Sequence, residues 1–192
     1  MSFNLQQFLT VSFTLFAVID AVGSIPLFIA LNAKFGGIRE FRATLISGAL
    51  MVGFLYVGEP FLKLLGVTVH SFAVGGSIVI FLLGLEMVLG HEIFKNEKNA
   101  RAGTFVPVAF PIIAGAGTLT TVMSLKANFA EVNILLGILA NLVLVYLVLK
   151  SLRFIEHALG EAGLIAVRKF FGVILLAIAV KIFGSNIQGF GK

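Results

Sequence analysis

Long apolar stretches, separated by short polar connections, dominate the sequence. A stretch of about 20 apolar residues matches the hydrocarbon thickness of a bilayer when it forms an α-helix. Six such stretches are predicted as transmembrane helices: 8–31, 41–57, 72–89, 105–125, 132–149 and 170–187. Open sheet edges cannot face lipid, and the alternating pattern of a membrane barrel is absent. The sequence therefore predicts an all-α integral membrane protein.

The composition excludes a soluble enzyme or a nucleic-acid-binding protein. Of 192 residues, 59% are hydrophobic and only 12% are charged, whereas a soluble domain carries about 25% charged residues. The length allows one membrane domain, 1–192, and leaves no room for a sizeable domain outside the bilayer. The net charge of +5 comes from basic residues in the connections, so it does not indicate nucleic acid as a partner.

The basic residues lie mostly on one side of the predicted membrane. Ten fall in the first, third and fifth connections: Lys34, Arg39, Arg42, Lys95, Lys98, Arg101, Lys150, Arg153, Arg168 and Lys169. The other connections and the chain ends carry Lys63, Lys126 and Lys192, and Lys181 lies inside the last span. Because basic connections stay in the cytoplasm, we expect a multi-pass protein of the cell (inner or plasma) membrane with both termini outside.

Two pairs of glycine-containing segments suggest an internal repeat. Gly23 and Gly117 are 94 residues apart in spans one and four, and Gly76 and Gly172 are 96 apart in spans three and six. Halves of three spans each, about 1–95 and 104–192, must have opposite orientations in the membrane. Inverted repeats are a recurring transporter architecture.

The first span carries a charged residue near its middle. Asp20 lies about 18 Å along this helix, where a charge costs at least about 2.5–3.5 kcal/mol. Gly23, Ser24 and Pro26 follow, and the proline removes a backbone donor, which weakens the helix there. This polar break predicts a substrate or ion site at the midplane; the alternative is a structural kink in which Asp20 bonds to a neighbouring helix.

The fourth span contains a second candidate break. Gly115 and Gly117, followed by the hydroxyls of Thr118, Thr120 and Thr121, can end one helix and start another. The N-terminus of the second half-helix would then offer N–H groups and a positive dipole end to an anion such as a carboxylate. Close helix packing through small residues is the alternative.

Three further polar residues lie in apolar spans. Lys181, at a depth similar to Asp20, could pair with Asp20, bind a substrate carboxylate or extend to the interface. Glu86 is near the cytoplasmic end of span three, and we expect it to reach the interface. Asn141 in span five is expected to cross-link helices.

Enzyme and metal motifs are incomplete. His91-Glu92 begins a zinc-protease pattern, but Lys95 occupies the position of the second histidine. No nucleophile elbow or phosphate-binding loop is present, and the histidines lie in or near connections. We expect no catalytic residues, no cofactor and no metal.

The sequence resembles the MarC family of small bacterial and archaeal membrane proteins over nearly its whole length. The segments that carry the resemblance are 20–26 (DAVGSIP), similar to the family's D-P-x-G-x-x-P; 71–76 with Phe81, Glu86 and Met87; Pro107, Pro111 and 115–120 (GAGTLT); and Arg168, Gly172 and 177–180. Ala21 and Ala116 replace usual prolines of the family, and Lys181 replaces an expected glutamine.

The resemblance implies secondary transport of small neutral amino acids such as glycine and alanine, coupled to protons or sodium. Asp20 would then be the proton carrier, because desolvation favours its neutral form. An exporter of amino acids or toxic compounds on the same fold, a non-transporting scaffold protein and an intramembrane enzyme remain as alternatives. The oligomeric state is left open.

Overall fold

The computed structural model describes residues 3–90, 104–126 and 128–187. Within these ranges the secondary structure is helical, with connecting turns and bends. The helices are α1 (Leu5–Ile19), α2 (Ile25–Phe35), α3 (Glu40–Leu64), α4 (Val69–Leu89), α5 (Thr104–Ile113), α6 (Ala116–Leu125) and α7 (Glu131–Asn186). The predicted basic connection around Lys95, Lys98 and Arg101, the His91-Glu92 pair and Lys192 lie outside the described residues.

Four helical stretches are long and apolar enough to cross a bilayer. They are α3, α4 and two limbs of α7, which we call the first limb (Glu131–Leu152) and the second limb (Lys169–Asn186). The bent pair of α5 and α6 meets the same test as a fifth. α1 and α2, with 15 and 11 residues, are each too short to cross alone. The prediction of an all-helical, multi-pass membrane protein is confirmed.

Both predicted helix breaks are present. The first predicted span is divided at residues 20–24, between α1 and α2, and the fourth is bent by 52° between α5 and α6. These breaks form although Ala21 and Ala116 stand where the family usually has proline. α5 itself is irregular, because Val106 and Phe110, each directly before a proline, have extended dihedral angles.

Two predicted connections are shorter than predicted, because the adjacent helices extend into them. α3 continues through Pro60 to Leu64, where the proline falls in the last turns of a helix that already has 20 residues before it. Residues 153–169, which were predicted to be a connection, are helical on both sides of Gly160, whose non-helical dihedral angles (φ 64°, ψ 177°) mark a kink that divides α7 into two helices. That segment is rich in Ala, Leu, Glu and Arg, which favour helix even where charges end an apolar span.

α7 is central to the packing and contacts α1, α2, α3 and α4. Asn141 on its first limb donates from Nδ2 to the carbonyl oxygen of Ser12 on α1, at 3.1 Å. This hydrogen bond confirms that Asn141 cross-links two helices. Near the start of α1, the side-chain amide of Asn133 donates to Gln7 Oε1 at 2.8 Å. The two bonds fix α1 along the first limb of α7.

α4 and the second limb of α7 cross with their backbones in contact. A Cβ atom added to Gly84 would lie 2.9 Å from the carbonyl oxygen of Gly172, and one added to Gly172 would lie 3.1 Å from the carbonyl oxygen of Gly84. The contact is reciprocal, and it requires glycine on both helices.

This crossing yields a prediction with a control on the same helix. We expect Gly84→Ala to lower the melting temperature, because the new methyl group meets backbone atoms that cannot rotate away, and overpacking costs about 1–3 kcal/mol. Gly75→Ala, where a Cβ atom meets nothing within 4 Å, should leave it unchanged or raise it. Thermal unfolding in detergent measures both, and equal melting temperatures would contradict the close contact.

Candidate functional site

The two helix breaks face a single cavity of about 430 Å³. Its volume falls within the range of about 300–1,000 Å³ that is usual for small-molecule sites. The breaks supply seven of its lining residues: Asp20, Gly23, Ser24, Gly115, Ala116, Gly117 and Thr118. Residues almost a hundred positions apart in the sequence thus surround one space.

At the first break, Asp20 ends α1 in a left-handed conformation (φ 45°, ψ 47°) that aspartate tolerates better than most residues. Its backbone N–H still bonds to the carbonyl oxygen of Phe16 at 3.0 Å. The side chain turns back, and Oδ1 accepts a hydrogen bond from the N–H of Gly23 at 3.2 Å. A Cβ atom on Gly23 would lie 2.5 Å from Asp20 Oδ2, so only glycine leaves room for the carboxylate.

At the second break, α6 begins after Gly115 without a side-chain cap. The first N–H groups of this helix have no intrahelical partner, and they lie at its positive dipole end. A Cβ atom on Gly115 would collide with the carbonyl oxygen of Pro111, so a glycine is required here as well. The buried Thr118 hydroxyl donates to the carbonyl oxygen of Ile113 at 3.0 Å, which leaves its lone pairs as acceptors.

The two breaks are in contact with each other and with α4. A Cβ atom on Gly117 would stand 3.8 Å from Val18 Cγ1, which places the first turn of α6 beside the last turn of α1. A Cβ atom on Gly76 of α4 would stand 3.5 Å from the Cβ of Ala116. Small residues therefore keep three helices close to one point.

Sequence reasoning did not predict the remaining walls of the cavity. α4 contributes small and polar positions, and α7 contributes a mostly apolar wall. These residues are Ala73, Gly76, Ser77 and Ile80 on α4, and Phe171, Ile174, Leu175, Ile178 and Ile182 on α7. The Gly75-Gly76-Ser77 run was the available signal, because three consecutive small residues leave space beside a helix.

Lys181 also lines the cavity, from the second limb of α7. Its side chain is exposed, and it forms no ion pair with Asp20 in the part of the chain that the structure describes. The cavity therefore has one acidic and one basic side chain that do not neutralise each other directly.

Three sequence candidates do not line this cavity. Pro26 is the second residue of α2, where proline favours helix initiation. Thr120 and Thr121 both donate to the carbonyl oxygen of Gly117, at 3.0 and 2.8 Å. Their hydroxyls bond within their own helix, away from the cavity.

Glu86 does not reach the interface, and that expectation is wrong. Its side chain is fully buried and forms an ion pair with Lys34, whose side chain is 3% exposed. Lys34, which we assigned to a connection, belongs to the last turn of α2. Burial on both sides forces the two charges together, because an isolated charge in a low-dielectric interior is costly.

The profile of the MarC family integral membrane proteins matches residues 5–190 of this sequence. The chain belongs to the MarC family. The breaks at Asp20 and Gly115 are thus features of a MarC protein, and the resemblance inferred from the sequence motifs is confirmed.

Relatives of this MarC protein cover almost all of its length. The UPF0056 membrane protein YvbG of Bacillus subtilis is 29% identical, over 92% of each chain. A UPF0056 membrane protein of Methanocaldococcus jannaschii is 27% identical, over 97% of this chain and 98% of its own. Another, from Pyrococcus abyssi, is 28% identical over 96% of each chain. No solved structure matches this sequence.

The geometry at Asp20 predicts which substitutions the fold tolerates. Asn also adopts left-handed dihedrals readily, so Asp20→Asn should keep the wild-type melting temperature. Asp20→Val should lower it, because this conformation costs about 1–2 kcal/mol for a residue with an ordinary Cβ and more for a β-branched one. Thermal unfolding in detergent tests both, and equal stability of the two variants would contradict the left-handed cap.

Proposed function

We propose that this MarC protein is a secondary transporter of small neutral amino acids of the glycine and alanine type. The observation that carries the proposal is the meeting of two broken helices at one cavity. Irregular backbone inside a membrane protein is tolerated where it is buried or lines a cavity, and in transporters broken helices form the substrate site.

The charges of the cavity suit a zwitterion. The carboxylate of Asp20 and the carbonyl groups at the end of α1 would bind the amino group. The N–H groups around Gly117, with the Thr118 hydroxyl nearby, would bind the carboxylate at the start of α6. Lys181 would add a positive charge on the carboxylate side. The site has no net charge when Asp20 and Lys181 are both ionised, which favours a neutral amino acid over an acidic or basic one.

The same proposal includes six spans in two inverted halves. α1 and α2 together form the first span, which adds to the five that are long and apolar enough on their own. Helices α2 and α6 begin at Ile25 and Ala116, and α3 and α7 begin at Glu40 and Glu131; each pair is 91 residues apart. This spacing favours a register slightly different from the one predicted from Gly23 and Gly117. The order of a broken span followed by two further spans is the same in both halves.

The crossing of α4 and α7 supports the repeat independently. Gly84 contacts Gly172, Leu175 and Leu176, and Gly172 contacts Gly84, Met87 and Val88. The members of these two sets correspond one to one at a constant separation of 88 residues. When a residue of one half contacts the equivalent of its own neighbours in the other half, and its counterpart does the same in return, the arrangement is typical of a two-fold axis. Such an axis would here relate the two halves.

The orientation inferred from the basic residues would place the start of α4 and the end of α7 outside the cell. On α4 the cavity lining runs from Ala73 to Ile80, in the half nearer this end, whereas on α7 it runs from Phe171 to Ile182. At the same end, His70 Nδ1 and Asn186 Oδ1 are 3.0 Å apart. The opposite end is closed by buried side chains, including Leu31 and Met87. In the inferred orientation, the α4 side of the cavity would be nearer the outside of the cell.

A ligand screen tests the substrate class. In thermal-shift measurements on purified protein, glycine, alanine or serine should raise the melting temperature, because a ligand at a hundredfold excess over its Kd stabilises the folded state by about 2.7 kcal/mol. Asp20→Asn should abolish the shift while the protein remains folded.

The same thermal-shift screen includes the other neutral amino acids and the acidic and basic ones. A stabilising response to acidic or basic amino acids alone would contradict the proposed charge balance. An unchanged response in Asp20→Asn would remove Asp20 from the site. No response to any amino acid would favour a different solute or the scaffold function.

Lys181 provides a second test of the same site. Lys181→Gln removes the positive charge near the proposed carboxylate position, so the Kd for a neutral amino acid should rise about tenfold, a change of about 1.4 kcal/mol. Lys150→Gln, on the first limb of α7 and outside the cavity, is the control and should leave the Kd unchanged. Equal Kd values for all three proteins would exclude Lys181 from binding.

A further inference from the structure

The buried pair of Lys34 and Glu86 has an incomplete set of hydrogen bonds. Oε1 of Glu86 pairs with Lys34 Nζ, whereas Oε2 is buried and has no hydrogen-bond partner among the residues that the structure describes. A buried carboxylate usually has both oxygens satisfied, since each unpaired polar atom in the interior is costly. Oε2 is therefore an acceptor that is closed to water and available to a donor.

The pair lies further along α2 and α4 than the residues of these two helices that line the proposed substrate cavity. Lys34 is seven residues after Leu27, and Glu86 is six residues after Ile80; Leu27 and Ile80 both line the cavity. At the rise of an α-helix, the pair is about 10 Å further along α2 and α4. The fully buried Leu31 lies between Leu27 and Lys34 on α2. The ion pair thus joins the two helices where the path from the cavity towards the cytoplasm would pass.

No other described charged side chain compensates this pair. α5 and α6 carry no charged residue, and Lys34 is the charged residue of α2. At this end of the bundle, Arg39 before α3 and Lys169 on α7 are exposed. A metal cation at Oε2 would lie close to the Lys34 ammonium and be repelled by it. A proton, which bonds covalently to the oxygen, has no such limitation.

We propose that Glu86 is the site of the coupling proton and that Lys34 responds to it; this deepens the proposed function, on which it rests. A proton taken from water forms an O–H bond at Oε2 and makes Glu86 neutral. Lys34 then loses its counter-charge in a buried position and must move outward. The release separates α2 from α4 at the closed end. Loss of the proton on that side restores the ion pair. Asp20, which the sequence made the candidate for this role, is exposed and is already needed for the amino group.

The experiment measures access to the cavity without a substrate. The natural chain has no cysteine, so Ser77→Cys, in the cavity wall on α4, introduces a single thiol. A membrane-impermeant maleimide is applied to right-side-out and inside-out vesicles at neutral and acidic pH. Each labelling rate is divided by the rate for the same variant after denaturation at the same pH, which removes the loss of reactive thiolate on acidification. With the pair intact, labelling from the side where α2 and α4 end should be slow at neutral pH and about tenfold faster at acidic pH. Glu86→Gln should label fast from that side at both pH values, because removal of one partner of a buried pair strongly favours separation.

The variants decide between Glu86 and its alternatives. Glu59→Gln removes a carboxylate from the exposed pair with Lys63 on α3 and should behave as the parent protein. Asp20→Asn should keep the pH response. If Glu86→Gln fails to fold, the double variant Lys34→Gln/Glu86→Gln removes both charges, so no uncompensated ammonium is left in the interior, and it should label slowly at both pH values. A pH response that survives in the Glu86 variants, or disappears in Asp20→Asn instead, overturns the proposal. These results are independent of the substrate, so a wrong amino-acid assignment would not change them.

Discussion

The need to satisfy backbone polar groups in a medium without water governs this structure. A break in a membrane helix exposes N–H and C=O groups that lipid cannot bond, so it must face protein, a ligand or a polar cavity. The chain contains two such breaks, and they lie together at one cavity with glycine at each close approach. The left-handed cap at Asp20 and the uncapped start of α6 are understandable only in that shared location.

The polar side chains of the interior divide into two kinds. Asn141 donates a hydrogen bond to a backbone carbonyl oxygen of α1, and Asn133 donates one to the Gln7 side chain on the same helix. Their role is to fix α1 against α7. Asp20, Lys181 and Glu86 retain unfulfilled bonding capacity or an unpaired charge. Asp20 and Glu86 also form contacts within the bundle, but the bonding capacity that these three residues retain favours a transport function over the scaffold alternative.

The fold and the breaks could be predicted because lipid makes apolar length and misplaced polar residues unusually informative. Asp20 and the glycines at 115 and 117 stand out in their apolar stretches. Pairings between distant segments could not be predicted in this way. Lys34 and Glu86 are 52 positions apart, and each alone resembles an interfacial residue; they are buried only because α2 and α4 both pack against α7. Thr120 and Thr121 illustrate the converse, since counting hydroxyls does not tell which of them a helix satisfies by itself.

The glycine crossing of α4 and α7 has a mechanical consequence. Helices that interlock through large side chains can change their angle only by repacking from one discrete arrangement to another. At Gly84 and Gly172 the two backbones touch, and side-chain atoms of Met87, Val88 and Leu175 pack around the contact. A rotation of the two helices about this contact would keep the distance between their axes constant. In an alternating-access cycle, the stationary point of the molecule would lie at this crossing, and the displacements would increase towards the helix ends.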